Sequence, residues 1–443
     1  MLVMKFGGTS VGDPARIANL CDIVAAQRAR DVAVVVVVSA ASRVTDMLLT
    51  AARTAASGGP ADPGAIEARV TGLFTAFGLT PGLVAAELAG LRAALQGIAA
   101  AGAVTAEALD TVASYGERVS ARGIAATLTA RGVPAEALDA FDVGMVTDDR
   151  FGAAEPLPES AERLRAALTG RSRVPVVTGF IGKTLDGRVT TLGRGGSDYS
   201  AAIVGAALGA EEIEVWTDVP GVMTADPRVV PEARTIPMLS FSEAAELAYF
   251  GAKVLHPKTI HPAVRRGIPV RVKNTFEPSH PGTVITADGD RGAQGARAIA
   301  HKRGIAVVNL VSTRMLLAHG FLAQLFEVFR RHHVVVDLVA TSEVSVSCTV
   351  DREDGLPSAL AELRAVGDVS VDRGRTLVCV VAAGSIAGPA VYGGVFTALA
   401  SEGVTVELIS MGASAINVSV VVPDADGERA VRALHRVLLG GAP

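Results

Sequence analysis

The sequence predicts an α/β fold, in which a mainly parallel sheet lies between helices, followed by two small repeated units. Strand patterns alternate with helix patterns through the first two-thirds of the 443 residues, as in domains built on a parallel sheet. The continuous apolar run Val32–Val38 has the character of a strand covered on both faces. The last third repeats itself at an offset of 70 residues, since Leu325–Phe329 matches Val395–Leu399.

Composition limits the classes of protein that fit. The length allows roughly three domains of about 150 residues, and 49% apolar against 19% charged residues is too apolar for a disordered chain. Lys and Arg number 41 against 45 Asp and Glu, and no basic run is present, so we expect no nucleic-acid partner. The cysteines Cys21, Cys348 and Cys379 form no close pair, which fits a reducing compartment. The start lacks a signal-peptide pattern, and the most apolar window, Val32–Ala41, is half the roughly 20 residues of a membrane helix; we therefore expect a cytoplasmic protein without a membrane partner.

The remaining elements follow from local patterns. Helices joined by glycine turns are predicted between Arg53 and Gly102. Further strands are predicted at Val3–Phe6, Val174–Phe180, Arg188–Leu192, Glu212–Thr217 and Val270–Val272. Each of these strands ends at glycine, aspartate or asparagine positions, where loops can carry ligands.

A domain boundary is predicted at the polar, glycine-containing stretch Asp288–Gln294. This gives a first domain at 1–290 and repeated units at 298–375 and 376–443. Each repeated unit is predicted to hold an amphipathic helix and then two strands, in a βαββ-type arrangement. The predicted strand pairs are Val334–Thr341 with Val344–Val350, and Val404–Ser410 with Ile416–Val422.

The first motif that carries chemistry is Lys5-Phe6-Gly7-Gly8. A strand delivers a lysine and then turns through glycines, whose exposed backbone N–H groups can hold phosphate oxygens. The ammonium would neutralise charge on a transferring phosphoryl group. The alternative is a tight turn with Lys5 solvated at its edge.

A second glycine turn, Gly193–Asp198, carries an arginine, a hydroxyl and a carboxylate. Arg194 has the fork that binds a small carboxylate through two bonds, Gly195 and Gly196 allow close approach of backbone amides, and Asp198 can orient the lysine or a metal. A simple glycine turn, capped by Ser197 or Asp198 before a helix at Ala201–Leu208, is also compatible with the pattern.

The third motif runs from Trp216 to Arg228 and joins a strand end to two proline-containing turns, which suits a nucleotide. It is followed by Phe250–Pro257, where Lys253 can reach phosphates and where we expect His256 to close a turn.

In this order, the motifs resemble aspartate kinases of the amino-acid kinase superfamily, and the resemblance covers nearly the entire chain. The start Lys-Phe-Gly-Gly-Thr-Ser and the segment Thr190–Tyr199 are similar to those of the monofunctional, lysine-sensitive type. The resemblance implies an amino-acid kinase fold followed by two ACT-like βαββαβ units. It also implies ATP and Mg²⁺ as cofactors, L-aspartate as substrate and 4-phospho-L-aspartate as product, on the route to lysine, threonine and methionine.

The resemblance assigns roles to individual residues around the phosphoryl group and the aspartate. Lys5, Gly7, Gly8 and Asp198 would hold the transferring phosphoryl group. Glu117 matches a glutamate that receives the substrate ammonium, and Arg194 matches an arginine that grips the α-carboxylate. The other residues implied to position aspartate are Ser39, Thr45, Gly195, Gly196 and Ser197.

For the nucleotide, the matching positions are Thr217, Asp218, Met223, Arg228, Lys253 and Val254. Met223 stands where similar proteins often carry tyrosine, so we expect an effect on nucleotide affinity rather than loss of activity.

The resemblance also implies an amino-acid effector bound between two subunits at the ACT-like units. The matching positions are Met315, Gly320, Phe321, Leu322 and Asp337, and a buried carboxylate suits an ammonium ligand. Because Leu317 and Ala318 replace usual polar residues, threonine or no effector stays open beside lysine. Asp337 could instead cap a neighbouring turn.

Two alternative functions predict different sequence features. A kinase acting on glutamate or acetylglutamate would share the glycine loops but not the C-terminal repeat. An amino-acid sensor with an inactive kinase domain would lack the charged phosphoryl-site residues, whereas Lys5, Asp198 and Lys253 are all present. We expect a homodimer or a dimer of dimers.

Overall fold

The computed structural model describes residues 1–250, 255, 257–383, 389–411 and 416–440, and these form two compact units. The first unit comprises Met1–Val222, Pro237–Phe241 and Val254–Gly289. The second comprises Met223–Ile236, Ser242–Lys253 and Asp290–Pro443, so the chain passes between the units five times. Two segments of the predicted first domain thus pack within the second unit.

The first unit is built on an eight-stranded sheet. Its strands are β1 (Leu2–Phe6), β2 (Val34–Val38), β3 (Ala135–Leu138), β4 (Val174–Thr178), β7 (Glu212–Thr217), β8 (Met238–Ser240), β9 (Val270–Asn274) and β10 (Thr283–Thr286), and a separate hairpin pairs β5 (Ile181–Lys183) with β6 (Val189–Thr191). The sheet order is β3-β4-β2-β1-β7-β9-β10-β8, and only β9 and β10 pair antiparallel. The predicted parallel α/β class is therefore confirmed.

Helices cover this sheet because its central strands are apolar on both faces. All five residues of β1 and of β2 are buried, which requires packing from both sides. The helices are α1 (Pro14–Ala29), α2 (Val44–Ala56), α3 (Gly64–Thr75), α4 (Ala85–Ala101), α5 (Ala106–Ala130), α6 (Ser160–Leu168), α7 (Gly196–Leu208) and α9 (Pro257–Arg266). The predicted strands lie where expected, although β4 and β6 stop short of Phe180 and Leu192.

One helical segment within the described residues, Pro81–Ala101, is long and apolar enough to pass a length and composition test for a membrane span. We predicted no segment of sufficient length. Core helices of soluble proteins pass the same test. Leu88, Leu91, Leu95 and Ile98 of this segment are buried in the core of the first unit.

The first helix of the second unit is α8 (Phe241–Tyr249), which belongs to it from Ser242 onward. Its other elements are β11 (Gly295–Val311), α10 (Phe321–Arg331), β12 (Val339–Thr341), β13 (Ser345–Val350), α11 (Leu356–Leu363), β14 (Asp368–Ala383), α12 (Pro389–Ser401), β15 (Leu408–Met411), β16 (Asn417–Pro423) and α13 (Asp424–Leu438). The first repeat therefore has the expected βαββαβ order.

The two repeats share one antiparallel sheet of order β12-β13-β11-β14-β16-β15. The long central strands β11 and β14 pair with each other from Gly295 to Val311 and serve both repeats. β12 and β15 are shorter than predicted, since regular pairing begins only at Val339 and Leu408.

The second unit has two apolar cores. One includes Phe321, Phe329 and Leu363, from α10 and α11. The other includes Val395, Val420 and Leu434, and it also takes in Ala225, Val229 and Val230 of the segment Met223–Ile236. This segment is therefore an integral part of the second unit.

Candidate active site

A cavity of about 670 Å³ opens in the first unit, where β1, β2 and β4 end. Its size is that of a small-molecule site, and the carboxyl edge of a parallel sheet is the usual place for one. Every residue predicted to be catalytic or substrate-binding lines it: Lys5, Ser39, Thr45, Glu117, Arg194, Gly195, Gly196, Ser197 and Asp198. Residues far apart in sequence are thus brought together as expected.

At one side of the cavity, Lys5 forms an ion pair with Asp198. The distance from Lys5 Nζ to Asp198 Oδ1 is 2.7 Å, and the two side chains are 10% and 15% exposed. Lys5 lies on β1 and Asp198 in the first turn of α7. The pair is not the solvated lysine of the alternative interpretation. In the turn that follows β1, a Cβ atom added at Gly8 would come within 2.9 Å of the Ala40 carbonyl oxygen. Only glycine therefore fits this position.

Glu117 is the most deeply buried acid of the cavity. It lies on α5, and its Oε1 accepts a hydrogen bond of 3.0 Å from the backbone N–H of Ala40. Its Oε2 is buried and has no hydrogen-bond partner among the described residues. Burial raises the pKa of Glu117 to about 8, against the hydrogen bonds that lower it. An unpartnered buried carboxylate oxygen is suited to a cationic ligand, since a buried charge is stable only when paired.

Arg194 lies on the loop between β6 and α7 and is exposed at the cavity. Gly195, which precedes α7, has a φ of 71°, a conformation that glycine adopts without strain. The helix begins at Gly196, five residues earlier than predicted, so Ser197 and Asp198 lie inside its first turn and are not its cap. This position turns Asp198 toward Lys5.

The structure also adds residues that the sequence analysis missed. Asp110, Phe180, Asp46 and Arg53 line the same cavity. For Asp110 a signal was present, because it precedes Glu117 by seven residues and therefore falls on the same helical face.

The residues predicted for the nucleotide are distributed over both units. In the first unit, Gly7 lies beside the end of β7, because its N–H donates to the Trp216 carbonyl oxygen at 3.1 Å. Thr217 and Asp218 follow directly, and the Thr217 hydroxyl donates to Asp218 Oδ1 at 3.2 Å. The end of β7 therefore lies beside the glycine turn after β1.

Met223 and Arg228 lie in the second unit. Arg228 is bound to Asp226 through Nε and Nη2, with a shortest distance of 2.6 Å, and its side chain is otherwise exposed. The Thr235 hydroxyl contacts the sulfur of Met223 at 3.5 Å. Lys253, Val254 and His256 lie outside the described residues.

The residues predicted for an effector all lie in the first repeat of the second unit. Met315 packs against the core that contains Phe321, whereas Gly320 and Leu322 are exposed. Asp337 accepts a 2.7 Å hydrogen bond from the Tyr249 hydroxyl, and Lys302 Nζ lies 3.6 Å from its other oxygen. Burial raises the pKa of Asp337. The side chain of Asp337 thus contacts a phenol and an ammonium, and neither contact caps a turn.

No group of three or more potential metal ligands occurs among the described residues. A magnesium ion bound mainly through nucleotide phosphates needs only one or two carboxylates. Asp198 meets that requirement, since it faces the cavity.

The chain matches two family models. The model described as "Amino acid kinase family" covers residues 1–274, and the one described as "ACT domain" covers residues 308–363 and 378–438. These matches agree with the predicted fold class, in which a kinase domain precedes two ACT units.

Known proteins match over the full length. Aspartokinase 1, chloroplastic, of Arabidopsis thaliana is 39% identical over 98% of this chain and 79% of its own length. Lysine-sensitive aspartokinase 3 of Escherichia coli is 38% identical over 98% of both chains. Solved structures of the E. coli aspartokinase III, in complex with aspartate and ADP (R-state) and with lysine and aspartate (T-state), superpose with TM-scores of 0.82 and 0.81, at 36% identity and 99% coverage of both chains.

Proposed function

The chain belongs to the aspartokinases of the amino acid kinase family, and we propose that its cavity transfers the γ-phosphoryl group of ATP to the side-chain carboxylate of L-aspartate. The products are 4-phospho-L-aspartate and ADP. The observation that carries this proposal is the buried, unpartnered Oε2 of Glu117 in a cavity that also holds Arg194. An α-amino acid presents the complementary pair of charges.

In this proposal, Glu117 receives the α-ammonium and Arg194 the α-carboxylate of aspartate. Ser39, Thr45, Gly195, Gly196 and Ser197 line the remaining surface and orient the side-chain carboxylate. That carboxylate is a nucleophile at neutral pH, so the reaction needs no strong base. It needs alignment with the phosphoryl group and compensation of negative charge.

The Lys5 ammonium supplies that compensation, together with the backbone N–H groups of Gly7 and Gly8. The ion pair with Asp198 holds Lys5 at the cavity wall, where an immobile positive charge stabilises the transition state more than a solvated one would. The nucleotide would rest on Thr217, Asp218, Met223, Arg228, Lys253 and Val254. Asp198 would hold a magnesium ion that accompanies the nucleotide, and the ion would supply further positive charge.

We further propose that the second unit binds L-lysine as a feedback inhibitor, with Met315, Gly320, Phe321, Leu322 and Asp337 at the effector site. The support for this assignment is the carboxylate of Asp337, whose side chain is only 6% exposed and which therefore suits an ammonium ligand. Inhibition would follow if lysine binds an inactive arrangement better than the active one. Threonine as effector, or no effector, is the alternative.

A homodimer, or a dimer of dimers, is proposed on the basis of exposed apolar residues in the second unit. Leu316 and Leu317 are 51% and 93% exposed, and Val335 is 62% exposed. Large apolar side chains that are this exposed can be buried by contact with a second copy of the chain. We also propose a cytoplasmic location and a role in the first step toward lysine, threonine and methionine.

The function is tested by ADP release from the purified protein with Mg-ATP and L-aspartate, against L-glutamate, and with added L-lysine or L-threonine. Aspartate-dependent turnover that lysine suppresses supports both proposals. Turnover indifferent to either effector keeps the kinase and removes the feedback assignment. Turnover with glutamate alone favours a different amino-acid kinase, and no turnover favours an amino-acid sensor.

A further inference from the structure

Asp110 is a buried carboxylate whose hydrogen bonds all go to the loops around the cavity. Its Oδ2 accepts from the backbone N–H groups of Gly152 and Thr191, both at 2.8 Å, and its Oδ1 accepts from the Thr191 hydroxyl at 2.8 Å. The residue is 4% exposed. Burial raises its pKa, whereas these three bonds lower it. Asp110 therefore joins α5 to the loop at Gly152 and to the end of β6.

The end of β6 leads to Arg194. Thr191 is the last residue of β6, and Arg194 follows three residues later, before α7 begins. The carbonyl oxygen of Thr191 accepts from the Ala154 N–H at 2.9 Å, and a Cβ atom on Gly193 would come within 3.0 Å of the Gly152 carbonyl oxygen. The segment around Gly152 and the end of β6 are thus packed together, and Asp110 binds both.

The same helix carries Glu117. Asp110 and Glu117 are seven residues apart on α5, which is two helical turns and roughly 10 Å along the axis. Both line the cavity, and each accepts from the backbone of a different loop, since Glu117 binds the Ala40 N–H. One face of α5 therefore fixes the loop after β2 through Glu117 and the end of β6 through Asp110.

We propose that Asp110 is a positioning residue that sets the separation between Glu117 and Arg194, and thereby the affinity for the amino-acid substrate. The inference rests on the proposed roles of those two residues. Without the bonds to Asp110, the end of β6 would lose its connection to α5. Arg194 would then sample positions too far from Glu117, or too near, for both to engage one amino acid.

The two possible replacements of Asp110 have different consequences. Asp110→Ala removes every acceptor and leaves the buried N–H and hydroxyl of Thr191 without this partner, together with the N–H of the exposed Gly152. Asp110→Asn is nearly isosteric, and its carbonyl oxygen can accept from both N–H groups while its amide donates to the Thr191 hydroxyl. The asparagine variant therefore keeps the connection without the charge.

The test is steady-state kinetics of the purified full chain with Mg-ATP and L-aspartate. For Asp110→Ala we expect KM for aspartate to rise about tenfold or more, with kcat and KM for ATP changed less than about threefold. Asp110→Asn should stay within about threefold of the wild type in every constant. Thr191→Val, which removes only the hydroxyl donor, should raise KM for aspartate about two- to fivefold.

Asp139 provides a matched control. It is equally buried, at 4% exposure, but it binds the guanidinium groups of Arg118 and Arg122 and does not line the cavity. Asp139→Ala should lower Tm and leave KM for aspartate unchanged. The same rise in KM for Asp139→Ala would assign the effect to general loosening of α5 and overturn the inference.

An unchanged KM for aspartate in Asp110→Ala would also overturn the inference. So would changes of equal size in KM for aspartate, KM for ATP and kcat. If Asp110→Ala does not fold, the test is made with Thr191→Val. An unchanged KM for aspartate in that variant would overturn the inference. A wild-type protein without aspartate kinase activity would instead refute the proposed function. The two failures are therefore distinguishable.

Discussion

Lys5 Nζ and Asp198 Oδ1 lie 2.7 Å apart, which joins the end of the central strand β1 to the first turn of α7. The ammonium is thereby fixed at the cavity before any substrate is present. Such pre-organisation is what stabilisation of developing charge requires, because no reorganisation is needed during the reaction.

Replacing Lys5 by alanine should therefore lower kcat by about 100-fold or more, since a fixed cation at the reacting group is lost. The fold should remain intact, which circular dichroism can verify. Lys5→Arg is the charge-matched comparison, and we expect it to restore little activity because the guanidinium is larger and planar. Near-normal turnover by Lys5→Ala would remove the lysine from phosphoryl transfer.

Arg194→Ala should raise KM for aspartate by about 10- to 100-fold, the loss expected for a charge-assisted bidentate contact. KM for ATP should change far less, because Arg194 is assigned to the amino acid. Arg194→Lys keeps the positive charge but lacks the planar guanidinium, so its KM for aspartate should lie between that of the wild type and that of Arg194→Ala. Equal changes in both KM values would contradict the assigned role.

The pH dependence of aspartate binding should follow Glu117. Because burial raises its pKa to about 8, the free enzyme holds this carboxyl neutral below that pH, whereas binding of an ammonium requires the ionised form. We expect kcat/KM for aspartate to rise as pH increases from 6.5 through 8, and to level off about one pH unit above 8. Glu117→Gln should have a low kcat/KM for aspartate without this rise. A rise that persists in Glu117→Gln would assign it to another group.

Asp337→Ala should release inhibition by lysine and leave the catalytic rate unchanged. Tyr249→Phe is the more specific companion, because it removes only the hydroxyl that donates to Asp337 Oδ1. Freed of that bond, the carboxylate should bind an effector ammonium more readily, so half-inhibition should occur at a lower lysine concentration. Inhibition unaltered in Asp337→Ala would exclude Asp337 from the effector site.

Met223→Tyr should lower KM for ATP, because an aromatic ring offers stacking that a thioether lacks. KM for aspartate should not change. ADP release at varied ATP concentration measures the effect, and an unchanged or higher KM for ATP would argue against an adenine contact at this position.

The regular elements were the most predictable part of the fold. The five consecutive valines of β2, all buried, predicted a strand of a parallel sheet covered on both faces. The 70-residue repeat predicted the paired C-terminal units. Helix starts were less predictable. Ser197 and Asp198 resemble caps, but Gly195 with positive φ precedes the helix, and the packing of Gly196 against Phe180 could not be read from local sequence.

The membership of Met223–Ile236 in the second unit was also beyond sequence reasoning. Its Val229 and Val230 look like any short apolar pair, and only their burial beside residues such as Val420 reveals where they pack. The spacing of Asp110 from Glu117 did place both on one helical face, but the hydrogen bonds of Asp110 could not be predicted, since its partners Gly152 and Thr191 are distant in sequence. Long-range backbone contacts of this kind leave no local pattern.

Because the chain passes between its two units five times, a single cut in the sequence does not separate one unit from the other. A gene cut after residue 290 would yield a product whose Val229 and Val230 have lost the core in which they are buried. Replacing the second unit by another domain thus requires exchanging three separate stretches at once, so substitution of individual residues within it is the simpler change.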